Sequence, residues 1–381
     1  MSAATGAPAA LSRFAFATAT RADDAGLRAR LASDVMPGAV AITFRREPSY
    51  FDGAHLQGDD THVIACTDRT SGAIVGMSCR SRRSAGIDGT ARRIAYLSDL
   101  RGDVAYRSGT LLARGFRELA ALHRREPVGY SYAVIYEGNE PALRLLCSGR
   151  AGLPSFTLID RLLTPAIPLD FARRPIALDG IALRRATEID REPIIDLLRR
   201  EWSGKQLAPA DPADALAHGA LRTLAISDFF VATRGARVVA CLAAWNQARL
   251  RQTHVEAYSG PLAHWRRVIN ALARITPLRP LPDPGGRLPF IYLAAIASDG
   301  NDPHLFDALL RHALNALRRG PWHHAIVGLA ESDPLSSVLL RLRRIEAAGL
   351  VHSVRFPDDP PTLFESLATR HRPLYLEAGC L

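Results

Sequence analysis

The chain has 381 residues, 48% hydrophobic and 23% charged, the proportions of an ordinary globular protein rather than a disordered or fibrous one. Its length predicts two domains rather than one. A formal net charge of +10 favours acidic partners such as phosphates, coenzyme A, nucleic acid or an anionic membrane. The charge is almost all arginine, with Lys205 as the single lysine, and it is spread without a dense basic run, so nucleic acid is not an expected partner. The cysteines, Cys66, Cys79, Cys147, Cys241 and Cys380, are odd in number and form no CxxC pair, which argues against a disulfide framework and against zinc. The opening "MSAATGAPAALSR" lacks the pattern of a signal peptide, and no apolar run is long enough for a membrane helix. The expected location is cytoplasmic. Nothing here bears on oligomeric state.

In chain order, "FAFATATRADDAGLRARL" begins as an alternating strand and passes into a helix. "THVIACTDRTSGAIVGMSCR" predicts a hairpin turning near Ser71-Gly72. "AYLSDLRGD" predicts a strand, followed by the loop of "YRSGTLLARGF" and a helix on which Leu112, Phe116 and Leu119 recur. The strand "YSYAVIY" then leads to "EGNEPALRLL", where Pro141 suits the first turn of a helix. "LLTPAIPLDFARRPIALDG" carries three prolines and predicts a boundary near residue 168.

The second half repeats this order. "IALRRATEIDREPIIDLL" again runs strand to helix, with Arg185-Ala186 matching Arg21-Ala22. "DFFVATRGARVVACLAAW" predicts a hairpin turning at Arg234-Gly235. The loop "RPLPDPGGRLP" from Arg279 holds too much proline for regular structure. "IYLAAIASD" matches "AYLSDLRGD", with Tyr292-Leu293 against Tyr96-Leu97 and Asp299 against Asp103. A helix follows with Phe306, Leu310, Ala313 and Leu317 at helical spacing, then the strand "HAIVGLA" and "ESDPLSSVLL", where Pro334 again suits a first helical turn. The expected architecture is α+β, with two tandem copies at 1–168 and 169–381. Each is a central mixed sheet flanked by helices.

This strand order, with a loop between the fourth strand and the third helix, resembles the GNAT superfamily of acyl-CoA N-acyltransferases over most of the chain. The resemblance implies central parallel strands that splay apart around a pantetheine arm. It also implies a pyrophosphate on backbone N–H groups at the start of the third helix, where Gly allows close approach. Carried onto this chain, the family loop Q/R-x-x-G-x-G/A falls on Arg107, Ser108, Gly109 and Thr110. Gly109 comes one position early, and the last small residue is replaced by Leu111 or Leu112. Leu97 and Leu100 of the fourth strand and Asn139 complete the implied cofactor set, and the co-substrate is acetyl-CoA or another acyl-CoA. The second copy has Gly300 but no arginine, and Asp299 and Asp302 oppose a phosphate with nothing basic nearby in sequence, so that copy is expected to be structural.

Amine acylation needs a base for the ammonium and an acid for the leaving thiolate. In the family the base is an acidic residue on the fourth or fifth strand, which here offers Asp99 or Glu137. The acid is often a Tyr on the fourth helix, but this chain has Leu146 there, next to Cys147. Tyr136, or its neighbours Tyr132 and Tyr96, stands in as the acid. The acceptor, a small-molecule or peptide amine, is expected at "FRREPSYF", with Arg45, Arg46, Tyr50 and Phe51. His323-His324 has no second ligand pair, so no metal is expected, and no G-x-S-x-G, P-loop or dinucleotide fingerprint occurs. Two other readings stand beside this one. The first is a tandem transferase using an aminoacyl-tRNA donor, and the second is an acyl-CoA-binding regulatory module without catalysis.

Overall fold

The computed structural model describes residues 12–106, 110–150, 152–360 and 372–381. Two mixed sheets carry the fold, and helices cover their faces. The first half begins with β1 (Phe14–Thr18), α1 (Asp24–Ala32), β2 (Val40–Arg45) and α2 (Tyr50–Ala54). The hairpin β3 (Asp60–Asp68) and β4 (Ile74–Ile87) turns through Gly72, whose φ of +72° needs a residue without a side chain. Next come β5 (Thr90–Gly102), α3 (Leu111–Arg125), β6 (Tyr130–Tyr136), α4 (Glu140–Leu146), β7 (Ser155–Leu163) and β8 (Ala166–Pro168). Pro141 lies in the first turn of α4, as its sequence position predicts.

The second half opens with β9 (Ala182–Arg185), α5 (Arg191–Trp202) and α6 (Pro212–Ala217). The hairpin β10 (Phe229–Arg234) and β11 (Arg237–Trp245) follows, with Gly235 at φ +59° in its turn. Then come β12 (Gln252–Tyr258), α7 (Gly260–Leu272), β13 (Phe290–Ser298) and α8 (Pro303–Leu317). The chain continues through β14 (His324–Val327), β15 (Leu329–Ala330), α9 (Ser336–Leu340) and β16 (Ala348–Arg355). Pro334 precedes α9 and is not in its first turn.

The two halves share a backbone detail. Thr20 and Thr187 each open a short helical turn with a capping box, and each backbone N–H donates to an aspartate three residues on, Asp23 or Asp190, at 2.8 Å. The structural match is therefore Thr20 with Thr187, three positions away from the Arg-Ala match read in sequence. On α8, Phe306, Leu310, Ala313 and Leu317 are all buried, and on α3 Phe116 and Leu119 are buried. These are the faces that the helical spacing predicted.

The sheets do not keep the halves apart. The first sheet has the order β1-β3-β4-β5-β6-β16-β7-β15, so β15 and β16 from the second half complete it. β16 lies between β6 and β7, from Gly349 opposite Tyr136 to Ser353 opposite Tyr132 on one side. The second sheet has the order β8-β14-β13-β11-β10-β9, and β8 from the first half pairs with β14. β2 and β12 form a third, two-stranded sheet across the halves. Residue 168 is thus the last residue of a strand that belongs to the second sheet.

This exchange predicts that a chain ending at residue 168 leaves β6 and β7 without the strand between them. Two unpaired edges with a buried apolar face aggregate readily. Residues 1–168 expressed alone should be poorly soluble by size-exclusion chromatography. A soluble, monomeric fragment would refute that dependence.

Candidate functional site

Both sheets contain the same break. β5 and β6 pair in parallel only from Ile94 opposite Tyr130 to Leu97 opposite Ala133. β13 and β14 pair in parallel only from Phe290 opposite His324 to Leu293 opposite Val327. Just beyond, each leading strand bulges: its register against the antiparallel neighbour shifts, and one residue takes positive φ. That residue is Asp99 at +48° in the first sheet and Ala295 at +49° in the second. A bulge of this kind unpairs the strand and turns it away from its neighbour. The result is two clefts, and they differ in what fills them.

The second cleft is filled by the chain itself. The Ala295 N–H donates to Glu377 Oε1 at 2.7 Å, and the Ile296 N–H donates to the Tyr375 hydroxyl at 3.1 Å. The Tyr375 hydroxyl in turn donates to Glu377 Oε1. On the other side, Gly328 follows β14, and a Cβ there would sit 2.5 Å from the Cβ of Ala378. Only glycine lets the tail come so close. Gln247 and Arg251 both donate to the Gly379 carbonyl, at 2.7 and 2.9 Å. The helix behind this cleft is also closed. Asp302 caps α8 by accepting from the N–H groups of His304 and Leu305, and Pro303 supplies no N–H. Asp299 is not without basic neighbours, as the sequence suggested. Arg200 and Arg237 from other elements reach it, at 3.0 and 2.8 Å.

The first cleft has neither feature. Among the described residues, no side chain bonds to the backbone N–H groups of Ser98, Asp99 or Leu100. Thr110 stands at the N-cap of α3, and its side chain makes no capping bond. Among the described residues, no carboxylate caps the first-turn N–H groups of α3 as Asp302 caps those of α8. Arg107, Ser108 and Gly109, expected from sequence to hold the phosphates, lie outside the described residues.

A buried charged cluster underlies this cleft. Asp99 pairs with Arg46 at 2.6 Å, and the Tyr50 hydroxyl donates to Asp99 at 2.7 Å. The Arg46 guanidinium lies 4.5 Å from the centre of the Tyr50 ring, a cation–π contact, and Phe51 meets Tyr50 edge to face. Burial alone pushes the Asp99 carboxyl up, but Arg46, then Arg101, the Tyr50 hydroxyl and Arg251 outweigh it and hold it below the usual range. Burial raises Tyr50 well above its ordinary value, so Tyr50 keeps the proton it donates. Arg46, Tyr50, Phe51 and Asp99 thus come together, from the start of α2 with the residue Arg46 before it and from β5, while Leu97 packs in a different cluster with Phe116 and Leu119. Arg45 points elsewhere, to Glu256 on β12 at 3.0 Å.

The remaining expected residues lie at the edge. Glu137 accepts two bonds from Arg161 at 2.9 Å each, and these hold its carboxyl below the ordinary range. Tyr136 and Leu100 are exposed. Asn139 caps α4 by accepting from the Ala142 N–H. Leu146 is buried, and the neighbouring Cys147 is exposed. The carboxylates of Asp60 and Glu126 gather with His62, but Arg82 pairs with both carboxylates. That cluster already carries its counter-ion.

Sequence reasoning missed Arg251, Arg83, Tyr375 and Glu377. For Glu377 a signal existed. It is a single acid in the apolar run "LYLEAGCL", where a charge marks either a surface or a buried function.

The arrangement can be compared with solved structures. Saccharomyces cerevisiae N-myristoyltransferase with bound myristoyl-CoA superposes with a TM-score of 0.59 at 11% identity, over 94% of this chain and 82% of that one. A GCN5-related N-acetyltransferase from Sphaerobacter thermophilus superposes with a TM-score of 0.54 at 10% identity, over 92% and 98%. A conserved protein from Enterococcus faecalis described as a probable N-acyltransferase gives 0.50 at 8%, over 89% and 72%. The chain has the GNAT fold. No protein-family profile matches it, and no curated protein matches it in sequence. Among the described residues no helix is long and apolar enough to cross a membrane.

The Asp99 cluster yields a stability prediction. Arg46→Ala strands a buried carboxylate and should cost about 3–5 kcal/mol, read by chemical denaturation. Asp99 below its ordinary value stabilises the fold above that value and loses its contribution as pH falls through the folded one. The Arg46→Ala deficit should therefore shrink on acidification, as the stranded Asp99 takes a proton. An unchanged denaturation midpoint would mean that the pair is not a structural element of the cleft.

Proposed function

We propose that the protein is an acyl-CoA-dependent N-acyltransferase that works from the first cleft, with acetyl-CoA as donor and a small-molecule or peptide amine as acceptor. The observation that carries this reading is the asymmetry of the clefts. The first has a parted strand pair, a bulge at Asp99 whose N–H groups meet no described side chain, and a helix start whose N-cap residue Thr110 makes no side-chain capping bond. The second has the same backbone break, but its N–H groups are taken by Glu377 and Tyr375 and its helix start by Asp302. An anionic cofactor needs the N–H groups and the positive end of a helix. Among the described residues, the first cleft leaves both without a side-chain partner and the second does not.

In this reading the pantetheine arm lies along Leu97 and Leu100, and the pyrophosphate sits at Thr110 with Arg107, Ser108 and Gly109. The bulge N–H groups are suited to stabilise charge on the thioester oxygen. The amine nitrogen attacks the thioester carbon, a C–N bond forms, the C–S bond breaks, and coenzyme A leaves as its thiolate. Asp99 holds Arg46 and Tyr50 at the floor of the site. Its pairing, like that of Glu137, leaves it a weak proton acceptor at neutral pH. The names of the solved relatives, an N-myristoyltransferase and an N-acetyltransferase, agree with an acyl-CoA donor and leave the acyl length open.

Calorimetric titration of the full chain with acetyl-CoA and with myristoyl-CoA tests the reading. Arg107→Ala should weaken binding by about 1–3 kcal/mol, the worth of a charged hydrogen bond. Asp299→Asn with Asp302→Asn should leave it unchanged. If neither acyl-CoA binds, the proposal fails. If the double variant alters affinity, the cofactor has been assigned to the wrong cleft.

A further inference from the structure

A cavity of about 320 Å³ lies between the halves. Arg83 and Ser84 of β4 and Tyr132 of β6 form one wall. Asp211 and Asp214, at the start of α6, and Glu377 of the tail form the other, and Asp59 lies at its rim. The lining thus holds four carboxylates, of which Asp59 pairs with Arg93 outside it, and one guanidinium, in a protein of net charge +10. Local charge opposite to the global charge is a recognition feature, because it selects a cation that the rest of the surface repels. Tyr132 is one residue before Ala133, the last residue that β6 pairs with β5. The cavity wall therefore reaches the point where the first cleft opens.

Glu377 is the buried member of this set, 8% exposed. Its Oε1 is occupied by the Ala295 N–H and the Tyr375 hydroxyl, while its Oε2 bonds to no described residue. We infer that this cavity receives a cationic primary amine as acceptor, and that Glu377 Oε2 takes the ammonium proton. The inference rests on the acyltransferase reading. The proton moves from nitrogen to Glu377 as the amine attacks, and the departing thiolate balances it by taking up a proton. The volume lies at the lower end of small-molecule pockets, about 300–1,000 Å³, and so fits a small amine rather than a folded partner.

The neighbours of Glu377 leave it as the group that changes charge near neutrality. Burial pushes it up, and the Tyr375 hydroxyl, the Ala295 N–H and Arg83 pull it partly back, leaving it at about 7. Burial raises Tyr375, Tyr132 and Cys241, and raises Cys380 to about 12, so these stay neutral. Arg83 stays charged. Asp59 pairs with Arg93 at 2.8 Å, Asp211 caps α6, and the Asp214 carboxylate has no hydrogen bond among the described residues.

The test uses the full chain and hexamethylenediamine, with hexanediol as a neutral control. By calorimetry the diamine should bind and the diol should not. Affinity should fall about tenfold or more from about pH 8 to about pH 5.5 as Glu377 protonates. Asp214→Asn, a surface change that disturbs no bond, should weaken binding at all pH values. Glu377→Gln should remove the pH dependence. A group raised from 4.5 stabilises the fold below its unfolded value and loses that contribution as pH rises through about 7. Glu377→Gln should therefore raise Tm more at about pH 8 than at about pH 5.5. With acetyl-CoA supplied, it should lower kcat by about 10²–10⁴-fold. Diamine affinity indifferent to Asp214→Asn overturns the pocket. Wild-type kcat in Glu377→Gln, or no transfer when both ligands are bound, overturns the base. Failure of acyl-CoA to bind while the diamine binds overturns the acyltransferase reading and leaves the cation site standing.

Discussion

β16 is hydrogen-bonded on both edges by strands of the other half, and the site depends on that pairing. By lying between β6 and β7 it holds the second half against one face of the first sheet. Tyr96, Tyr130 and Tyr132 on that face are buried with Leu207, Leu374 and Leu376 from the second half. β8 does the reverse in the second sheet, and β2 with β12 makes a third connection. Backbone ladders crossing three times leave little freedom for one half to shift on the other. Groups facing each other across the interface can therefore keep the fixed geometry that transfer chemistry requires.

Within that frame, the two halves share a local backbone break and differ in the side chains around it. The bulges at Asp99 and Ala295 share their φ values and their distance from the last paired residue. An alanine at the second lets the tail approach, and its N–H finds a permanent partner in Glu377. An aspartate at the first draws in Arg46 and Tyr50, and no described side chain bonds to the bulge N–H groups. Buried N–H groups are rarely left without partners. One cleft is thus completed internally and the other is suited to an external partner.

Charge follows the same division. The carboxylates of Asp99 and Glu137 are each paired with an arginine, Arg46 and Arg161. Glu377 receives its bonds from neutral donors, with Arg83 as the nearby cation, so burial dominates and the carboxyl stays near neutrality. The tail that seals the second cleft therefore also brings a proton-accepting group to the interface.

Local patterns in the sequence determined much of this. The period of apolar residues marked α3 and α8, glycines marked both hairpin turns, and Tyr96-Leu97 aligned with Tyr292-Leu293 because the parallel pairs they enter are set by short stretches of chain. The loop Arg46–Tyr50 and the strand residue Asp99 were each legible as charged or aromatic groups in the right elements. Their meeting was not, because 53 residues of chain separate Arg46 from Asp99 and the bulge that turns Asp99 inward is a property of the folded sheet. Strand exchange was invisible for the same reason. β16 carries the pattern of a buried strand, and that pattern is satisfied equally by either sheet. Only the packed tertiary structure decided that it completes the first, and with it where Glu377 lies and which cleft remains open.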